Sequence, residues 1–139
     1  MLITFRKPEM RDMAAMFAWQ QHPITKVFNP RHVPPAWEQY LATMFKASND
    51  PEEMLQVMAI DEHIVGFIVF REHEHGVWFG IRVAPGLSGR GFEASMVEHA
   101  KQRWGSKLAT TVNSEQEAES YASLGFEQEG ETNVWRYRG

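Results

Sequence analysis

The chain contains no cysteine. That removes disulfides, thiolate nucleophiles and cysteine-based zinc sites together. Long apolar runs are also missing; the longest, Ile64 to Phe70, is far too short to span a bilayer. There is no internal repeat, no low-complexity tract and no linker-like stretch. Positive charge is not in excess: 14 Lys and Arg stand against 18 Asp and Glu, a net charge of −4. Nothing resembles a basic nucleic-acid face, and with no spanning run neither nucleic acid nor membrane is an expected partner. The opening MLITF reads as a strand and carries no signal-peptide pattern, so a cytoplasmic location is expected.

What is present suits a globular domain. With 139 residues, 43% hydrophobic and 23% charged, the chain is one domain's worth and too apolar for disorder. We expect a single domain over 1–139. Nine Phe, five Trp and three Tyr, 17 rings in all, can build a sizeable core. Charge is uneven: residues 1–50 carry six Lys or Arg and four Asp or Glu, net +2, and residues 51–139 carry eight and fourteen, net −6. An acidic half would suit a cationic substrate, but charge runs are usually solvated faces, and that is the preferred reading.

Periodicity orders the elements. Leu2 to Arg6 is a strand, and Pro8 opens a helix with Met13, Met16, Phe17 and Gln20 on one side, broken by His22-Pro23. A proline-rich loop spans Asn29 to Pro35. A second helix starts at Pro35, with Trp37, Tyr40, Leu41, Met44 and Phe45 at clean helical spacing, and stops at Ser48-Asn49-Asp50-Pro51. Met54 to Ile60, Ile64 to Arg71 and Val77 to Val83 form a meander joined by short polar turns. A glycine-rich loop, Ala84 to Gly91, leads into a helix carrying Phe92, Met96, Val97, Ala100 and Trp104, which Gly105 ends. Leu108 to Asn113 is a strand, Glu115 to Leu124 a helix, and Phe126 to Glu131 with Val134 to Tyr137 a closing pair. The fold class is α+β, in the order β-α-α-β-β-β-α-β-α-β-β.

The chemistry concentrates at Ser88-Gly89-Arg90-Gly91. A strand, two glycines and a helix start present unpaired amides at the positive end of a dipole, a natural anion site; the plain alternative is a tight turn without a ligand. Tyr121 is either a proton donor or a packing ring. Glu72, His73, Glu74 and His75 form the nearest titratable cluster, readable as a source of a general base or as a solvated hairpin tip. His73 and His75 share a strand face, but no third ligand lies near, and no metal is expected.

The element order, the loop from Val83-Ala84-Pro85 through Gly91, and Tyr121-Ala122-Ser123-Leu124-Gly125-Phe126 together resemble the GNAT superfamily of acetyl-CoA-dependent N-acetyltransferases. The resemblance covers nearly the whole chain. It implies a mixed, mostly antiparallel sheet flanked by helices. In that family the loop reads Gln/Arg-x-x-Gly-x-Gly/Ala and its amides hold the CoA pyrophosphate. Carried over, Ser88, Gly89, Arg90, Gly91, Phe92 and Glu93 form the loop, the amides of Ile81, Arg82 and Val83 pair with the pantetheine, and Ser114 is a further cofactor contact. Gly80 is placed to mark a bulge or close approach. Two positions depart from the pattern: Ser88 stands at the Gln/Arg position and Glu93 at the Gly/Ala position. A carboxylate about 6 Å from pyrophosphate costs roughly 2–3 kcal/mol at an effective dielectric of about 20, unless Arg90 offsets it or the side chain points to solvent. An acid in a first helical turn also stabilises the dipole without any ligand.

The resemblance implies that Tyr121 is the general acid for the departing thiolate, and that the amine attacks the thioester directly. Phe17-Ala18-Trp19 and His22-Pro23 are similar to members that acetylate protein N-termini or amino sugars, with the Asn29–Pro35 loop over the acceptor. The acceptor is then an amine-bearing small molecule or protein, and a homodimer is left open. A GNAT-fold binding or regulatory module whose catalysis has decayed is the second hypothesis.

Overall fold

The computed structural model describes residues 2–21, 36–74 and 76–139. The Asn29–Pro35 loop, His22-Pro23, the Pro35 helix start and His75 lie outside them. The strands are β1 (Ile3–Arg6), β2 (Leu55–Ile60), β3 (His63–His73), β4 (Gly76–Val83), β5 (Leu108–Thr111), β6 (Phe126–Gln128) and β7 (Val134–Tyr137). The helices are α1 (Met10–Gln21), α2 (Trp37–Ser48), α3 (Phe92–Trp104) and α4 (Glu115–Ser123), with a 3-10 turn over Gly105–Lys107. The described elements follow the order read from the sequence.

Seven strands hydrogen-bond in the order β1-β2-β3-β4-β5-β7-β6. β1 with β2, β2 with β3, β5 with β7 and β6 with β7 are antiparallel; β4 with β5 is parallel, through Val77↔Leu108 and Trp78↔Ala109. The sheet is thus mixed and mostly antiparallel. A crossover such as α3 is what a parallel pair requires, because a tight turn cannot reverse the chain twice.

Strand ends shift where local polar bonds or pairing overrule composition. β3 runs two residues beyond Arg71, to His73, since pairing tolerates polar side chains at an exposed strand end. β5 stops at Thr111, short of Asn113, because the Asn113 amide donates to Glu117 Oε2 at 3.0 Å and Ser114 caps α4. β6 stops at Gln128: Thr132 Oγ1 donates to the Glu129 carbonyl at 2.6 Å, and Gln128 Nε2 to the Thr132 carbonyl at 2.7 Å, closing a turn.

The described chain forms two compact units, Met1–Val69 with Ile81–Glu93, and Phe70–Gly80 with Ala94–Gly139. In the first, Met13 and Met16 of α1, Met44 of α2, and Leu55 and Val57 of β2 are buried together, with Tyr40, Leu41 and Phe67 packed on them. Phe17 meets Trp37 edge-on at 5.0 Å and Tyr40 at 5.4 Å, and Trp19 stacks on Phe67. Phe45 departs from the expected stripe and is exposed. The α1 start is fixed by a group that the apolar stripe did not reveal. Asp12, only 4% exposed, accepts from the Glu9 amide at 2.7 Å and from both terminal nitrogens of Arg6, at 2.6 and 3.3 Å. An acid at the third helical position reaching back to the amide of Glu9, the residue before the helix, is half of a capping box, and the fork-to-carboxylate pair adds charge-assisted bonds.

The second unit is built on rings. Phe126 is buried and meets Tyr121 at 5.3 Å, Tyr137 at 5.6 Å and Phe79 at 6.0 Å. Met96, Val97 and Ala100 supply the buried face of α3. Lys101 bonds Glu98 at 2.8 Å and lies over the Tyr137 ring, while Arg103 lies over Phe70 and Trp104.

Candidate active site

The loop lies in the first unit. Ile81, Arg82 and Val83, at the end of β4, are half-buried, and the Ala84 amide that follows donates to the Val65 carbonyl at 2.8 Å. A register shift falls between Met58 and Ala59 in the β2–β3 pairing. Gly89 and Gly91 adopt φ of +81° and +90°, and nothing lies within 4 Å of where a Cβ would stand. These are left-handed conformations that L side chains rarely adopt, and they leave the backbone accessible to a ligand. Arg90 is exposed and Phe92 is half-buried.

Glu93 does not point to solvent. Its Oε2 accepts from Ser88 Oγ at 3.1 Å and from the Gly89 amide at 3.2 Å, while its Oε1 is buried without a hydrogen-bond partner. The two positions that depart from the loop pattern are therefore bonded to each other. A carboxylate of this chain thus takes up the Gly89 amide of the loop.

Ser114 and Tyr121 lie in the second unit. Ser114 is the N-cap of α4: its Oγ accepts from the Glu117 amide at 3.1 Å, and Glu117 returns a bond to the Asn113 amide. Its hydroxyl oxygen thus has a structural task here beside the expected ligand contact. Tyr121 is half-buried, with its ring edge-on to Phe79 and Phe126. Burial raises its phenol above the ordinary range, a hydrogen bond from Thr110 pulls the other way, and Glu117 adds to the rise. The phenol is thus a neutral proton donor at neutral pH. Thr110, buried on β5, is the neighbour that sequence reasoning missed; its only signal was alternation along a short strand. Gly125 explains the glycine of Tyr-x-x-x-Gly-Phe: φ is +95°, and a Cβ would meet Tyr137 Cε1 at 3.0 Å.

Glu72, His73 and Glu74 border an open groove of about 410 Å³ with Trp104 and Lys107. β4 begins directly after this cluster and ends directly before the loop. His73 packs against Trp78. Among the described residues no group of three or more His, Cys, Asp or Glu side chains could hold a metal ion. Among the same residues no helix is long and apolar enough to cross a membrane.

The family model for the GNAT acetyltransferase domain matches residues 9–136. The chain belongs to the GNAT acetyltransferase family. Solved GNAT structures share its fold at low identity. The microcin self-immunity acetyltransferase MccE, in complex with acetyl-CoA and AMP, is 14% identical, covers 99% of this chain and 92% of its own, and superposes with a TM-score of 0.75. A spermidine N-acetyltransferase SpeG chimera from Vibrio cholerae and hSSAT is 16% identical over 96% and 92%, with a TM-score of 0.72. A PaiA N-acetyltransferase from Thermoplasma acidophilum, in complex with coenzyme A, is 12% identical over the full length of both chains, with a TM-score of 0.63. No curated protein matches the chain.

Proposed function

We propose that residues 1–139 act as one cytoplasmic N-acetyltransferase domain that moves an acetyl group from acetyl-CoA to a primary amine. The observation that carries this reading is the loop at the end of β4, where Gly89 and Gly91 are left-handed and the Gly89 amide already holds a carboxylate. Solved relatives bound to acetyl-CoA and to coenzyme A support the donor, and a spermidine N-acetyltransferase among them supports an amine acceptor. The −6 balance of residues 51–139 suits a cation. The acceptor is an amine-bearing small molecule or protein.

In this reading the backbone of Ile81, Arg82 and Val83 orients the pantetheine, and the loop from Ser88 to Glu93 faces the pyrophosphate. The neutral amine attacks the thioester carbonyl carbon. A C–N bond forms, the C–S bond breaks, and the sulfur takes the Tyr121 proton. Solvent takes the extra N–H proton from the amine nitrogen of the adduct, leaving the neutral amide, and returns a proton to the Tyr121 phenolate. No covalent enzyme intermediate is required.

The test has two parts. CoA should raise the melting temperature, because a ligand that binds only the native state stabilises it. Tyr121→Phe keeps the ring contacts and removes a bond made mainly in the transition state. Acetylation of spermidine or another amine should then fall by about 10²–10⁴-fold with CoA affinity nearly unchanged. A mutant within about twofold of wild type removes Tyr121 from the mechanism, and the absence of any CoA-induced shift overturns the transferase reading.

A further inference from the structure

We infer that Glu93 is a specificity-determining residue for the acyl donor: its carboxylate occupies the anion position of the loop and lowers the share of affinity that the donor's pyrophosphate contributes. The inference rests on the donor assignment above.

The contacts argue for a coupled device. A Gly or Ala at position 93 has no side chain that can reach the loop; Glu93 spans the turn and takes the Gly89 amide at 3.2 Å. Ser88 supplies a short hydroxyl that meets the same oxygen at 3.1 Å, where a longer Gln or Arg would extend away. Nothing stands within 4 Å of a Cβ position at Gly89, so no bulk beyond the carboxylate crowds that side of the turn. The carboxylate is therefore what an incoming anion meets. Both its position and its charge oppose that anion, one by holding a donor and the other by repulsion.

The latch is displaceable. Glu93 Oε1 is buried without a partner, and a charged oxygen left so is costly. The contacts of Oε2 thus hold the side chain against an unfavourable term on its own second oxygen. A donor can displace it, but at a loss confined to its phosphate end. Binding through the pantetheine and acyl portions is untouched. The loop accordingly narrows the affinity gap between CoA and the same thiol without its nucleotide.

An acid that merely stabilises the α3 dipole would leave that gap alone, and this separates the two roles. CoA and pantetheine are titrated by ligand-observed NMR into wild type, Glu93→Ala and Glu93→Gln. Glu93→Ala should bind CoA at least about tenfold tighter, with pantetheine changed by no more than about twofold. Glu93→Gln keeps the length and one acceptor oxygen but not the charge. It should move CoA in the same direction by less, and it carries the test if the alanine variant folds poorly. The CoA gain should shrink as salt rises. If neither variant widens the CoA-to-pantetheine ratio, Glu93 is only a dipole acid and the inference falls, while the donor assignment stands. If no form of the protein binds either thiol, both fall.

Discussion

In the unit formed by Met1–Val69 and Ile81–Glu93, the largest fully buried side chains are Met13, Met16, Met58, Ile68 and Val57; in the unit formed by Phe70–Gly80 and Ala94–Gly139 they are Phe126, Met96 and Leu108. The first fills its interior largely with thioethers and leaves its rings at the periphery. The second places a ring at its centre, with three other rings edge-on or tilted around it. Methionine is unbranched and adapts to irregular gaps, so it specifies shape weakly. Edge-on rings have few ways to pack and specify it strongly. The proposed proton donor, Tyr121, belongs to the ring cluster, where its orientation is fixed. The loop belongs to the unit whose core gives more readily.

The largest effect should come from breaking the ring cluster. Phe126→Ala removes the shared partner of Phe79, Tyr121 and Tyr137 and should cost about 3–5 kcal/mol, as other buried Phe truncations do. Thermal and urea unfolding measure it; a loss below about 1.5 kcal/mol would mean that the cluster does not hold its unit.

A smaller loss is expected from Asp12, a buried charge in the methionine unit. Asp12→Asn leaves Arg6 without its carboxylate and should cost about 2 kcal/mol at neutral pH. Burial alone would raise the Asp12 carboxyl, but the Arg6 bond, the Glu9 amide and nearby positive charge bring it below the ordinary range. Its folded pKa is thus lower than its unfolded one. The stabilisation is complete above about pH 4 and is lost as pH falls through the lowered folded value. Urea midpoints across the acid range should therefore fall less steeply for the variant than for wild type. Parallel curves would remove Asp12 from the acid response.

The smallest effect tests the soft core directly. Met16→Leu conserves volume at a fully buried site and should cost less than about 1.5 kcal/mol. A larger loss would show that the methionines fit as tightly as the rings, and the contrast between the units would disappear.

Much of this was legible in the sequence because it depends on neighbours along the chain. Met13, Met16 and Met44 announced buried helix faces by spacing, and Gly89 and Gly91 announced left-handed turns before a helix. Phe45 shared the α2 spacing and is nonetheless exposed, since a stripe wider than the available surface leaves its margin in water. Asp12 carried a signal, an acid three residues after Glu9, but its partner Arg6 is on β1, and only the packing of that strand beside α1 joins them. Thr110 likewise became the neighbour of Tyr121 through the placement of α4 on β5.

By itself the sequence determined the order of the described elements, the α+β class, the glycine turn that leads into α3 and the GNAT pattern, because helix and strand periods, turn glycines and caps act over a few residues. The direction of Glu93 was decided only in three dimensions. From the sequence its carboxylate was free to face a ligand, to face solvent or to complement the α3 dipole, all compatible with an acid in a first turn. Folding brought Ser88 Oγ and the Gly89 amide within 3.2 Å of one of its oxygens. A short-range electrostatic contact is settled by distance and orientation, which residue spacing does not contain.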